Sequence, residues 1–167
     1  GVVHVRVVGD ITHPKAGSLA EDIAADIPSP EDLQRWADTV FAYLALNDQE
    51  FTVRFVDRTE SRSLNHQYRG KDKPTNVLSF PFESPPGIEL PLLGDLVICA
   101  PVISEEAQEQ NKTVRNHYAH MIVHGILHLL GYDHIDEAEA QQMEALEIRV
   151  LAELGIDDPY QDDYFDH

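Results

Sequence analysis

Residues 113–134 read TVRNHYAHMIVHGILHLLGYDH. From about Thr113 to Leu130 the stretch is apolar enough for a buried helix. His124 and His128 interrupt it, so no run approaches the ~18 apolar residues that a membrane span needs. A helix this apolar has to bury itself against other elements. Four helical residues advance about 400°, which puts His124 and His128 about 40° apart in projection and one turn apart along the axis. Two imidazoles thus converge on one point. If the helix continued, His134 would sit about 240° round from His128 and face elsewhere. Gly131 removes that obstacle, because a glycine after the last turn takes positive φ, ends the helix and lets the chain fold His134 back. A lone histidine on an apolar face is ordinarily a satisfied core residue, but three with a glycine break between them point to a metal. His124, His128 and His134 are therefore read as the ligands of one zinc ion, with a fourth position open for catalysis. Water held there has its pKa lowered to about 7. His117 and His120 lie on nearly the same helical face and are read as supporting hydrogen-bond partners or supplementary ligands.

Outward from this helix the pattern changes twice. On its N-terminal side β-branched or alternating stretches predict four strands: from Val2 to Val8, from Phe51 to Val56, in NVLSFPF from Asn76 and in LGDLVICA from Leu93. Among them SPEDLQRWADTVFAYL predicts a helix capped by Ser29, with an apolar stripe of Leu33, Trp36, Val40 and Leu44. Thr59 is the expected cap of a short polar helix carrying Arg62, Asn65, His66 and Arg69, and a helical piece is expected over Ser104–Gln110. On the C-terminal side an acidic helix spans about Glu137 to Leu154 and ends at Gly155. Strands early and helices late predict an α+β fold: a small mixed four-stranded sheet, helices packed mainly on one face, and the metal site on the long helix of the C-terminal half. The size of 167 residues suits one domain, 1–167, with an acidic tail over 161–167. Cys99 is alone, which excludes a disulfide framework and a cysteine-rich metal site; it reads as a small buried residue. No basic, apolar leader pattern opens the chain, and the expected location is the cytoplasm, away from membranes.

The formal charge of −18 argues against indiscriminate nucleic-acid binding. Its distribution qualifies that. Arg54, Arg58, Arg62, Arg69, Lys71 and Lys73 are six of the 12 Lys and Arg residues, all in one segment, while the chain from Asp133 onward carries twelve acids against Arg149. The basic segment is expected to form a local positive groove, with Arg62, Lys71 and Lys73 as substrate-binding candidates, and the acidic face to repel RNA elsewhere.

The histidine spacing is also that of metzincin peptidases, except that their general-base glutamate would stand at Gly125. HGILHLLGYDH, preceded by YRGKDKPTNVLSFPFE and LLGDLVI, closely resembles the YbeY family of bacterial metal-dependent endoribonucleases. The resemblance covers about Phe51 to Tyr160 and is looser over residues 1–50. It implies zinc on His124, His128 and His134, cleavage of single-stranded RNA, maturation of the small-subunit ribosomal RNA 3′ end and ribosome quality control. It further implies a small-subunit or assembly-protein partner and marks Arg69 and His124 as catalytic. Chemically, the Arg69 guanidinium suits two oxygens of a phosphodiester gaining charge. Asp95 and Asp133 are candidates to orient a ligand or accept a proton, and Ser79 in VLSF to line an RNA groove on an edge strand or sit in the core. Two other functions stay open: a zinc hydrolase of a peptide or small-molecule bond, and a ribosome-assembly factor whose cleavage is incidental.

Overall fold

The computed structural model describes residues 2–7, 27–46, 50–82, 86–87, 92–132 and 136–159, of which 2–7 and 92 are described by backbone alone. Asp133, His134, residues 8–26 and the acidic tail lie outside the described residues. The elements are β1 (Val2–Val7), α1 (Pro30–Tyr43), β2 (Glu50–Val56), α2 (Arg58–Arg69), β3 (Val77–Pro81), β4 (Leu92–Cys99), α3 (Ala100–Glu109), α4 (Val114–Leu129) and α5 (Glu137–Glu153). They make a mixed α+β fold. The strands lie in the order β1-β2-β4-β3, with β1 and β4 parallel to β2 and β3 antiparallel to β4. β3 is thus an edge.

Alternation along the strands sorts the side chains to two faces. Phe51, Val53 and Phe55 of β2, with Leu96 and Ile98 of β4, join Leu33, Trp36 and Val40 of α1, Ile122 and Ile126 of α4, and Met143 and Val150 of α5 in the main core. Each large aliphatic side chain fully withdrawn from water there contributes about 1.5–3 kcal/mol. On the opposite face a smaller cluster of Val56, Leu78, Val97 and Cys99 is covered by Leu64 of α2 and Val102 of α3. Gly125 sets the depth of α4: a Cβ built there would stand 2.7 Å from Leu96 Cδ2, so any side chain at this position would require Leu96 to shift.

Two local expectations are corrected. The cap of α2 is Asp57 and not Thr59, since Asp57 has the extended conformation a cap needs and its carboxylate accepts from the Glu60 N–H at 2.9 Å. The piece expected over Ser104–Gln110 begins at Ala100, the first residue after β4. Pro101 is compatible with a first turn, and burial of Ala100 and Ile103 anchors that start. Ser29 caps α1 as expected, accepting from the Asp32 N–H at 3.2 Å. Gly131 (φ +102°) and Gly155 (φ +76°) take the left-handed turns foreseen for them.

Candidate active site

Between Met121 and Leu129 every residue of α4 is buried except His124 and His128, which are half-buried. Helical pitch brings their rings edge-to-face with centroids 4.6 Å apart, and their Nε2 atoms meet at 3.1 Å. The far side of the His124 ring is held: Nδ1 is hydrogen-bonded to Glu147 Oε1. An ionised carboxylate only accepts, so the His124 proton belongs on Nδ1 and the Nε2 lone pair is left pointing at His128. Glu147 is completely buried, and its other oxygen meets His120 Nε2 at 3.3 Å. Burial alone would raise its carboxyl, but the hydrogen bonds from His120 and His124 hold it down to about 2. Burial likewise depresses His120, against the pull of Glu147.

His124 and His128 open into a cleft of about 500 Å³ whose other wall is the end of α2 and the edge strand, with Arg69, Asn76, Ser79 and Tyr68 among its lining. Arg69, exposed in the last turn of α2, makes no ion pair among the described residues. The loop after it is tied down by two buried polar residues of α2: Asn65 Nδ2 donates to Lys73 O at 2.8 Å, and Ser61 Oγ exchanges 3.0 Å hydrogen bonds with the Thr75 backbone. Below the cleft, Glu106 accepts from Asn76 Nδ2 at 3.2 Å and meets His117 Nε2 at 3.0 Å. Asn76 Oδ1 in turn accepts from the Val77 N–H.

A family model described as Endoribonuclease YbeY matches residues 20–155. The chain belongs to the YbeY endoribonuclease family. The Endoribonuclease YbeY of Alteromonas mediterranea is 68% identical over 143 residues, covering 86% of this chain and 90% of that protein. The solution structure of TM1509 from Thermotoga maritima covers 92% of this chain and 91% of its own, with a TM-score of 0.55 and 24% identity, and shares the fold.

For this YbeY family member, the residues singled out from the sequence meet different fates. His124, His128, Arg69 and Ser79 meet at one cleft. Among the described residues no three metal-ligating side chains gather at one point; the third expected ligand, His134, lies outside them, as does Asp133. Asp95 is not brought to the histidines. It is exposed and alternates with Leu96 and Ile98, so it belongs to the face turned away from α4. The basic segment is largely neutralised: Arg54 pairs with Glu60, Arg58 with Glu105, and Arg62 with Asp72 through two bonds of 2.7 and 3.0 Å. Arg62 is therefore engaged, which leaves Arg69, Lys71 and Lys73 as the cations without described carboxylate partners. His120 holds Glu147 and His117 holds Glu106. Glu147 itself was missed. A signal existed: Met143, Glu147 and Val150 follow each other at helical spacing, so one acid sits inside the apolar stripe of α5.

Proposed function

We propose that this endoribonuclease cuts single-stranded ribosomal RNA with one divalent ion, zinc, held by His124, His128 and His134. The observation that carries the reading is the pair of Nε2 atoms 3.1 Å apart, with the His124 ring oriented from its other side by Glu147, across a cleft from Arg69. That donor set suits a divalent ion of the zinc type. When bound, such an ion supplies Lewis acidity and an acidified water. The chain's residues supply the rest. Arg69 offers two parallel N–H donors to phosphate oxygens and meets the charge they gain as the bond to the attacking oxygen forms. Glu147 keeps the His124 ring in one tautomer and one orientation. Among the described residues no carboxylate lines the cleft, so proton removal does not fall to Asp95. A peptidase function has no support at the glutamate position: Gly125 is pressed against Leu96, on the sheet side of α4, and a glutamate there would point into the core. Maturation of the small-subunit RNA end, a ribosomal or assembly-protein partner and a cytoplasmic location complete the proposal. No helix among the described residues is long and apolar enough to cross a membrane.

The deciding experiment compares wild type, His128→Ala and Arg69→Ala, with metal content measured, on single-stranded ribosomal RNA and on an unfolded protein. Arg69→Ala is expected to lose about 10²–10³-fold in RNA cleavage with its metal content unchanged. Cleavage of protein but not RNA overturns the reading, and full RNA cleavage by Arg69→Ala removes that residue from the reaction.

A further inference from the structure

Three large apolar side chains stand out as exposed among the described residues: Tyr43, Tyr68 and Phe82. Tyr43 ends α1, where its hydroxyl meets Arg149. Tyr68 lines the cleft that holds His124 and His128, and Phe82 directly follows the cleft's edge strand. Tyr68 is 60% exposed, yet its ring is not loose. It sits edge-to-face with Phe80, centroids 4.9 Å apart, and Phe80 is packed on the second apolar cluster. A ring anchored this way already has its orientation, so a planar partner meets it with little further loss of side-chain freedom.

Its neighbour in sequence is Arg69, on the same last turn of α2. An exposed ring beside a guanidinium that has no ion pair among the described residues matches the two parts of a nucleotide, a flat base and the phosphate next to it. The Asn76 amide is not available to read base edges, because it is taken up by Glu106 and the Val77 N–H. Resting on the RNA-cleaving reading above, we infer that Tyr68 stacks one unpaired nucleobase adjoining the phosphate held by Arg69. The residue positions substrate and favours strands whose bases are free, with little regard to which base is presented. A paired base has both faces occupied in its stack and cannot be offered to the ring.

The test uses the metal-loaded full chain and single-stranded oligonucleotides in which one nucleotide at a time near the cut is made abasic. For wild type, one abasic position is expected to raise KM roughly 5- to 100-fold, the range of a lost base–aromatic stack, with kcat changed less. Tyr68→Ala is expected to raise KM on the intact strand by a similar factor and to be indifferent to the abasic position. Tyr68→Phe should behave as wild type. Tyr68→Leu, which keeps an apolar contact for Phe80 but offers no flat face, should behave as Tyr68→Ala and substitutes for it if that variant melts early. Wild-type KM in both Tyr68→Ala and Tyr68→Leu, or an abasic penalty that persists in them, overturns the stacking role while leaving RNA cleavage intact. Failure of wild type to cut any of the strands instead overturns the functional reading, and this inference with it.

Discussion

Replacing Glu147 by Gln keeps the shape of the side chain and removes its charge. Two histidines now lean on that carboxylate, His124 through Nδ1 and His120 at 3.3 Å. A glutamine offers one acceptor oxygen and one donor nitrogen, so one ring keeps a neutral partner and the other loses its acceptor. Hydrogen bonds to a charged group are worth about 1.5–3 kcal/mol each. Losing one and weakening the other should cost about 2–4 kcal/mol of stability, a large cost because Glu147 is fully buried and water cannot substitute. The same change frees the His124 ring to turn and to move its proton to Nε2, which should weaken divalent-ion binding about 10- to 100-fold. The assay is calorimetric titration of zinc into apo-protein, with thermal unfolding recorded with and without the ion. Wild type should gain more from the ion than Glu147→Gln does. Glu144→Gln, one turn earlier on the exposed side of α5, serves as the control and should bind zinc like wild type. Equal zinc affinity in wild type and Glu147→Gln refutes the claim that the carboxylate organises the ring.

Two further outcomes follow from the packing. Gly125→Ala places a Cβ 2.7 Å from Leu96 Cδ2 and 3.0 Å from its Cδ1, in a core with no exposure, and should destabilise by about 1–3 kcal/mol in urea unfolding; an unchanged midpoint would show that α4 has slack against the sheet. Burial would raise the Glu106 carboxyl, but His117 and Asn76 hold it below its ordinary 4.5. A depressed folded pKa gives stability that is present above 4.5 and lost as pH falls through the lower folded value. The melting-temperature gap between wild type and Glu106→Gln should therefore close on acidification, and a gap that widens refutes the assignment.

Periodicity made α1, β2 and α5 legible, because each buries one continuous stripe or face, and α4 was legible as an apolar run buried nearly all round. The convergence of His124 and His128 was legible for the same reason: it is local to one helix. What was not legible depends on distant partners. Asp72 closes on Arg62 across the turn that follows α2, and nothing in the spacing of those two residues marks them as a pair instead of as free charges. Asp95 stood as a candidate to orient a ligand or accept a proton, but the strand's alternation turns it to the face away from α4. Asp57 displaced Thr59 as a cap because capping depends on backbone angles one residue to either side, which composition does not report. Glu147 was hidden among the acids of α5 by chemistry alone; its position in the stripe distinguished it.

The two rings are mounted on a single helix whose backbone is seated against Leu96, so the spacing of their Cα atoms follows helix pitch and only rotation about the side-chain bonds changes the span between their nitrogens. α4 therefore acts as a gauge of set width. On the proposed metal reading, an ion of unsuitable radius would have to be met by adjustment in the remaining ligands, so part of the choice among divalent ions would lie in α4.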